Sequence, residues 1–133
     1  MPPVDTRGIL EIPLHRFLGV ALLDEADPYA GICFPVTANA QNNVGILHGG
    51  VVAALLDVAS YLALLPELEP GQSAVTHDMT VSLLRAVAAG SRVELRGTVL
   101  RRGRTLAFLR AEATVDGGAV AVAQVTKSIL TAR

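Results

Sequence analysis

Asp57 is the residue whose placement most needs an explanation. It is the only ionisable carboxylate between Gly49 and Leu65, in a segment built mainly of Ala, Leu and Val. A carboxylate taken out of water is costly unless it is paired or hydrogen-bonded. Burial disfavours the charged form of such a group, which is how a carboxylate becomes a useful general base near neutrality. The plainer reading is structural: Asp57 is satisfied by Tyr61 or by the backbone of a strand. Upstream stands His48-Gly49-Gly50. Paired glycines let another group approach the backbone closely. If they open a helix, their N–H groups have no internal partner and lie at the positive end of its dipole. Gly49 and Gly50 are then placed to receive an anion or a developing oxyanion; otherwise His-Gly-Gly is only a turn.

These groups need a helix to hold them. Val51 to Leu65 contains no helix breaker. At about fifteen residues it is too long for one ordinary strand, so a helix of roughly 25 Å is predicted. Apolar residues lie all round it, the mark of a helix buried on most sides. Ser60 and Tyr61 follow Asp57 at i+3 and i+4 and share a narrow polar stripe with it. Asp57 lies about 12 Å along the axis from Gly49 and some 80° round. One chain cannot easily bring both to one small substrate. If both serve one site, its halves come from two subunits, and an obligate dimer is expected.

The run Asn42-x-x-Gly45-x-x-His48-Gly49-Gly50, followed by Asp57 inside an apolar helix, resembles the hotdog-fold thioesterases. The similarity is to the phenylacetate-degradation branch, which includes the thioesterase-superfamily member 2 kind. It extends from about Phe17 to Leu130, through VTHDMTVSLL and GRTLAFLRAEATV. The resemblance implies an α+β fold: a curved antiparallel sheet wrapped around one long central helix. It also implies dimers joined edge to edge, pairing into tetramers. Asn42 and Asn43 can be read as turn residues; the family pattern selects Asn42 as the side chain that holds the thioester carbonyl or the attacking water. Thr76 stands where the family often carries a hydroxyl near the catalytic Asp; it is equally an ordinary β-branched strand residue.

The rest of the chain sets bounds. At 133 residues it is one domain, read as an N-terminal segment over 1–16, partly ordered, and the hotdog domain over 17–133. A net charge of −1 gives no bulk attraction to nucleic acid or membrane. Charged residues are 17% and apolar residues 51%, so excess apolar surface is expected in subunit contacts. The single cysteine, Cys33, allows no internal disulfide and no Cys-based zinc site, and reads as a buried thiol. Residues 1–8 are expected to be loose. No signal pattern opens the chain and no uninterrupted apolar span crosses a membrane, so a cytoplasmic enzyme is the default.

Helical fragments limited by Pro13 are predicted over Ile9 to Leu18, with His15 on the surface. Strands are predicted at Gly19 to Leu23 and Tyr29 to Val36, around the turn Asp24 to Pro28. After Pro66, a period of two marks a strand from Ser73, with Val75, His77, Met79, Val81 and Leu83 on one face. Arg92 to Leu100, Thr105 to Val115 and Ala119 to Leu130 continue the sheet. Arg101-Arg102-Gly103-Arg104 and Asp116-Gly117-Gly118 are read as hairpin turns.

The chemistry implied is hydrolysis of an acyl-coenzyme A thioester. The carbonyl oxygen would sit at the Gly49 N–H. Asp57 would act as general base on water or attack directly, and His48 would support the loop or the carbonyl. Arg101, Arg102 and Arg104 are candidates to hold coenzyme A phosphates, or else form a solvated hairpin tip. No metal or separate cofactor is implied; coenzyme A enters as part of the substrate. Two other readings stand beside this one. The first is a hotdog module that binds acyl-coenzyme A without turnover. The second is a hotdog hydratase or dehydratase acting on an enoyl or β-hydroxyacyl thioester.

Overall fold

The computed structural model describes residues 6–132. The expectation of a loose start over residues 1–5 lies outside them. Thr6 to Gly8 are not loose: they belong to helix α1 (Thr6–Leu10), in which Thr6 is buried. Helix α2 (Pro13–Leu18) follows, with Pro13 in its first turn where a missing N–H costs nothing. Gly19 ends it in the left-handed conformation, φ 76°.

Strands β1 (Ala21–Leu22) and β2 (Ile32–Pro35) are shorter than expected. The central helix α3 (Gly49–Leu64) leads into a 3-10 turn at Leu65–Glu67. Then come β3 (Gln72–Leu83), β4 (Arg92–Arg102), β5 (Leu106–Val115) and β6 (Gly118–Thr131). All pairings are antiparallel, in one six-stranded sheet of order β1-β2-β4-β5-β6-β3. Long β3 is therefore an edge. The β5–β6 turn holds Asp116 and Gly117 at φ 50° and 81°, the conformation a two-residue hairpin demands.

Helix α3 lies across one face of the sheet. Its Val52, Leu55, Leu56, Ala59 and Leu62 pack on the inward residues of β4 to β6. Many of those strand residues are alanines (Ala107, Ala111, Ala113, Ala121, Ala123), which lets the helix settle close. Helix and sheet come close at Gly97 of β4, where a Cβ would stand 2.5 Å from the Ala59 carbonyl oxygen. From Val51 to Leu65 no helix residue is fully exposed, as the all-round apolar pattern predicts. Gly49–Glu67, 19 residues long, is apolar and long enough to cross a bilayer, with mean hydropathy 1.7 over an 18-residue window; here it is the core helix of the sheet. Cys33 is buried and accepts a hydrogen bond from Arg92 at 3.3 Å.

Two β-bulges overturn the simple alternation expected of β3 and β4. On β3, Thr76 pairs with Lys127 but Asp78 with Thr126, leaving His77 extra. Val75 is therefore exposed, while Met79 and Val81 pack on the core. On β4, Val99 pairs with Leu109 but Arg101 with Phe108, leaving Leu100 extra. The shift in parity brings Arg102 to the helix side. It is not part of a free hairpin tip: its guanidinium donates to the Glu67 carbonyl (3.2 Å), the Gly103 carbonyl (2.7 Å) and Gln72 Oε1 (2.5 Å).

Candidate active site

The loop before α3 is folded by Asn42. Its Oδ1 accepts the N–H groups of Val44 (3.0 Å) and Ile46 (3.2 Å), the side-chain turn that Asn favours. Gly45 completes the turn at φ 81°. Among the described residues, the Asn42 amide Nδ2 donates to nothing. The loop closes when His48 N–H bonds the Ala40 carbonyl at 2.8 Å.

His48 is the N-cap of α3. Its Nδ1 accepts from Gly50 N–H at 2.9 Å, so the ring carries its proton on Nε2 when neutral. One of the two glycine donors is thereby committed. The Gly49 N–H has no partner among the described residues, and Gly49 is half-buried. Leu83 lies against it: a Cβ here would meet Leu83 Cδ1 at 2.7 Å. Gly49 and Asn42 line a cleft of about 330 Å³ together with Val52, Leu83, Arg85 and Val87. Its free donors are those an oxyanion would need.

Asp57 opens elsewhere. It lines a second cleft, also about 330 Å³, with Ile12, His15, Val58, Tyr61 and Thr76. It is not the lone carboxylate that the helix sequence suggests, and its partner is neither Tyr61 nor a strand backbone. Its Oδ1 accepts from Thr76 Oγ1 at 2.5 Å and from Lys127 Nζ at 2.9 Å. Ser60 turns back instead and donates to the Asp57 carbonyl at 2.7 Å.

Two residues here escape a reading of the sequence. Lys127 shares the inward face of β6 with Ala121, Ala123, Val125 and Ile129. A lysine in that alternating series was the available signal. His15 is buried, not on the surface, because α2 turns His15 and Leu18 inward at i and i+3. Its Nδ1 lies 2.7 Å from the Ile9 carbonyl, and a carbonyl can only accept, so Nδ1 carries the hydrogen.

The structure thus joins Asn42, His48 and Gly49 at one place, and Asp57 and Thr76 at another. Neither cleft contains both Gly49 and Asp57. Arg101 and Arg104 are exposed and line neither, and Arg102 is engaged within the chain.

Comparison with known proteins agrees with this architecture. The sequence pattern of the thioesterase superfamily matches residues 44–122. Human acyl-coenzyme A thioesterase 13 is 34% identical over 111 residues, covering 83% of this chain and 79% of the human one. A variant of the phenylacetic acid degradation protein PaaI from Thermus thermophilus superposes with TM-score 0.77 at 31% identity, over 87% of this chain and 97% of that one. Zebrafish thioesterase superfamily member 2 gives TM-score 0.77 at 30% identity, over 92% and 91%. With its family pattern, its relatives and its helix-in-sheet architecture in agreement, this chain belongs to the thioesterase superfamily, as a hotdog-fold thioester hydrolase of the phenylacetate-degradation type.

Proposed function

We propose that the protein hydrolyses an acyl-coenzyme A thioester to the free acid and coenzyme A, at a site shared between two subunits. What carries this reading is the separation of the two half-sites: an unclaimed Gly49 N–H in one cleft and Asp57 in another. Edge strand β3 supports it. A twelve-residue edge with exposed Val75 and Leu83 invites pairing with a second copy, and such pairing brings the second chain beside Thr76 and Asp57.

The thioester carbonyl oxygen accepts from the Gly49 N–H of one subunit, at the positive end of α3. The free amide of Asn42 orients the carbonyl or the attacking water, and His48 keeps the loop and the glycine turn in place. Asp57 of the other subunit takes a proton from water as the water oxygen bonds to the carbonyl carbon. The negative charge that gathers on the carbonyl oxygen is stabilised more in this tetrahedral state than in the ground state. Collapse re-forms the carbonyl, breaks the C–S bond and releases the coenzyme A thiolate, which takes up a proton. In the direct course, Asp57 itself bonds to the carbon and water then hydrolyses the mixed anhydride; single turnover in labelled water separates the two by where the label enters. Arg101 and Arg104 are exposed cations available to the coenzyme A phosphates.

The test is thiol release from short, medium, long and aryl acyl-coenzyme A thioesters, with wild type and Asp57→Ala. Release by wild type and a fall of about 10²–10⁴ in Asp57→Ala are expected. A folded oligomer that releases thiol from none of them would refute the assignment and favour a binding module.

A further inference from the structure

Lys127 occupies a core position and its side chain is 3% exposed. An ammonium group there is costly unless its protons are all placed. Nζ donates to Asp57 Oδ1 at 2.9 Å and to Thr76 Oγ1 at 2.7 Å, and lies 5.5 Å from the centroid of the Tyr61 ring. The direction of the network follows from chemistry. An ammonium group has only donors, so Thr76 must accept from Lys127. The one hydroxyl proton of Thr76 is then left for Asp57 Oδ1. Both hydrogen bonds to the carboxylate fall on Oδ1. Among the described residues Oδ2 receives none, and the Asp57 side chain keeps 35% of its surface open to the cleft.

We propose that Lys127 is a positioning residue of the active site: it clamps Oδ1 directly and through Thr76, and so reserves Oδ2 for the substrate. The inference rests on Asp57 being the acting carboxylate. A purely structural role accounts poorly for the pair, because replacing both members of a buried ion pair by well-packed apolar side chains is often neutral or stabilising. A clamp accounts for it, since a carboxylate free to rotate about its side-chain torsions presents either oxygen at varying angles and loses the fixed geometry that proton transfer needs.

The test combines kinetics with a crystal structure. Lys127→Met is expected to lower kcat about 10- to 100-fold with KM within about twofold, and Lys127→Arg to recover part of the loss. In an Asp57→Asn background, Lys127→Met should cost nothing further, because the group it positions is already disabled. Full kcat in Lys127→Met, or losses that multiply in the double variant, would overturn the proposal. The crystal structure of Lys127→Met reads the clamp without turnover: the Asp57 carboxylate should leave its single orientation, and an unchanged carboxylate would overturn the clamp. If Lys127→Met does not fold, Lys127→Gln, which also removes the cation, carries the same two readouts. A wild-type protein inactive on every thioester would refute the proposed reaction, while the crystallographic outcome would still decide the role of Lys127.

Discussion

Replacing Gly97 by alanine tests whether the close contact of helix and sheet is what places Asp57. The new Cβ would stand 2.5 Å from the Ala59 carbonyl oxygen, 2.9 Å from Ser60 Cα and 3.0 Å from Ala59 C. All three are backbone atoms, so no side chain can turn aside. A carbon ordinarily sits about 3.3 Å or more from a carbonyl oxygen, so against 2.5 Å the helix must retreat by about 0.8 Å. Overpacking of this kind costs about 1–3 kcal/mol. At about 4 °C per kcal/mol for a chain of this size, Tm should fall by about 8 °C. Scans belong at one fixed protein concentration, since subunit association shifts Tm as well. Ala59 and Ser60 lie two and three residues beyond Asp57, so the same retreat draws its carboxylate from Thr76 and Lys127. A displacement near 1 Å can cost about 10²-fold, and a loss of kcat of about 10- to 100-fold is expected in the thiol-release assay. Thr98→Ala, on the exposed side of the same strand, is the control and should stay within about 0.5 kcal/mol of wild type. A Gly97→Ala protein with the Tm and kcat of wild type would refute the reasoning.

Three further outcomes follow from the site. If each active site draws Asn42 from one subunit and Asp57 from the other, co-refolding inactive Asn42→Ala with inactive Asp57→Ala chains should restore about a quarter of wild-type activity through hybrid dimers; no recovery with hybrids demonstrably formed would rule out a shared site. His48→Ala removes the acceptor for Gly50 N–H and should cost about 0.5–1 kcal/mol, read from urea midpoints at constant m. Thr76→Val deletes the hydroxyl that both Lys127 and Asp57 use and should lower kcat by about tenfold or more, whereas Thr76→Ser should retain most of it; equal rates in both would remove Thr76 from the site.

The central helix was legible because an unbroken apolar run has few alternatives, and Asp57 because one carboxylate stands out in it. The strands after Pro66 were legible from alternation, and the Asp116-Gly117 turn from residue types that accept positive φ. What escaped has a physical cause in each case. A bulge adds one residue without a residue-type signature, so Val75 does not share the face of Met79 and Val81 beyond His77, and Arg102, read as part of a turn, lies in the strand beyond Leu100. The partner of Asp57 lies seventy residues away in the chain, and only the fold brings Lys127 to it. His15 sits in a six-residue helix, too short for its pattern to reveal which face turns inward.

The bulge at His77 also bears on how this chain can change in length. Within a paired strand, losing or gaining one residue normally exchanges the two faces for everything beyond it. At position 77 it does not. Thr76 already pairs with Lys127 and Asp78 with Thr126, so deleting His77 joins two residues that are consecutive in the ladder. Thr76 would keep its place beside Asp57, and Met79 and Val81 would keep theirs against the core. A single-residue gap in an alignment of relatives therefore belongs at His77, and the same reasoning puts one at Leu100 of β4. A gap placed anywhere else in these strands would imply a different set of inward-facing side chains.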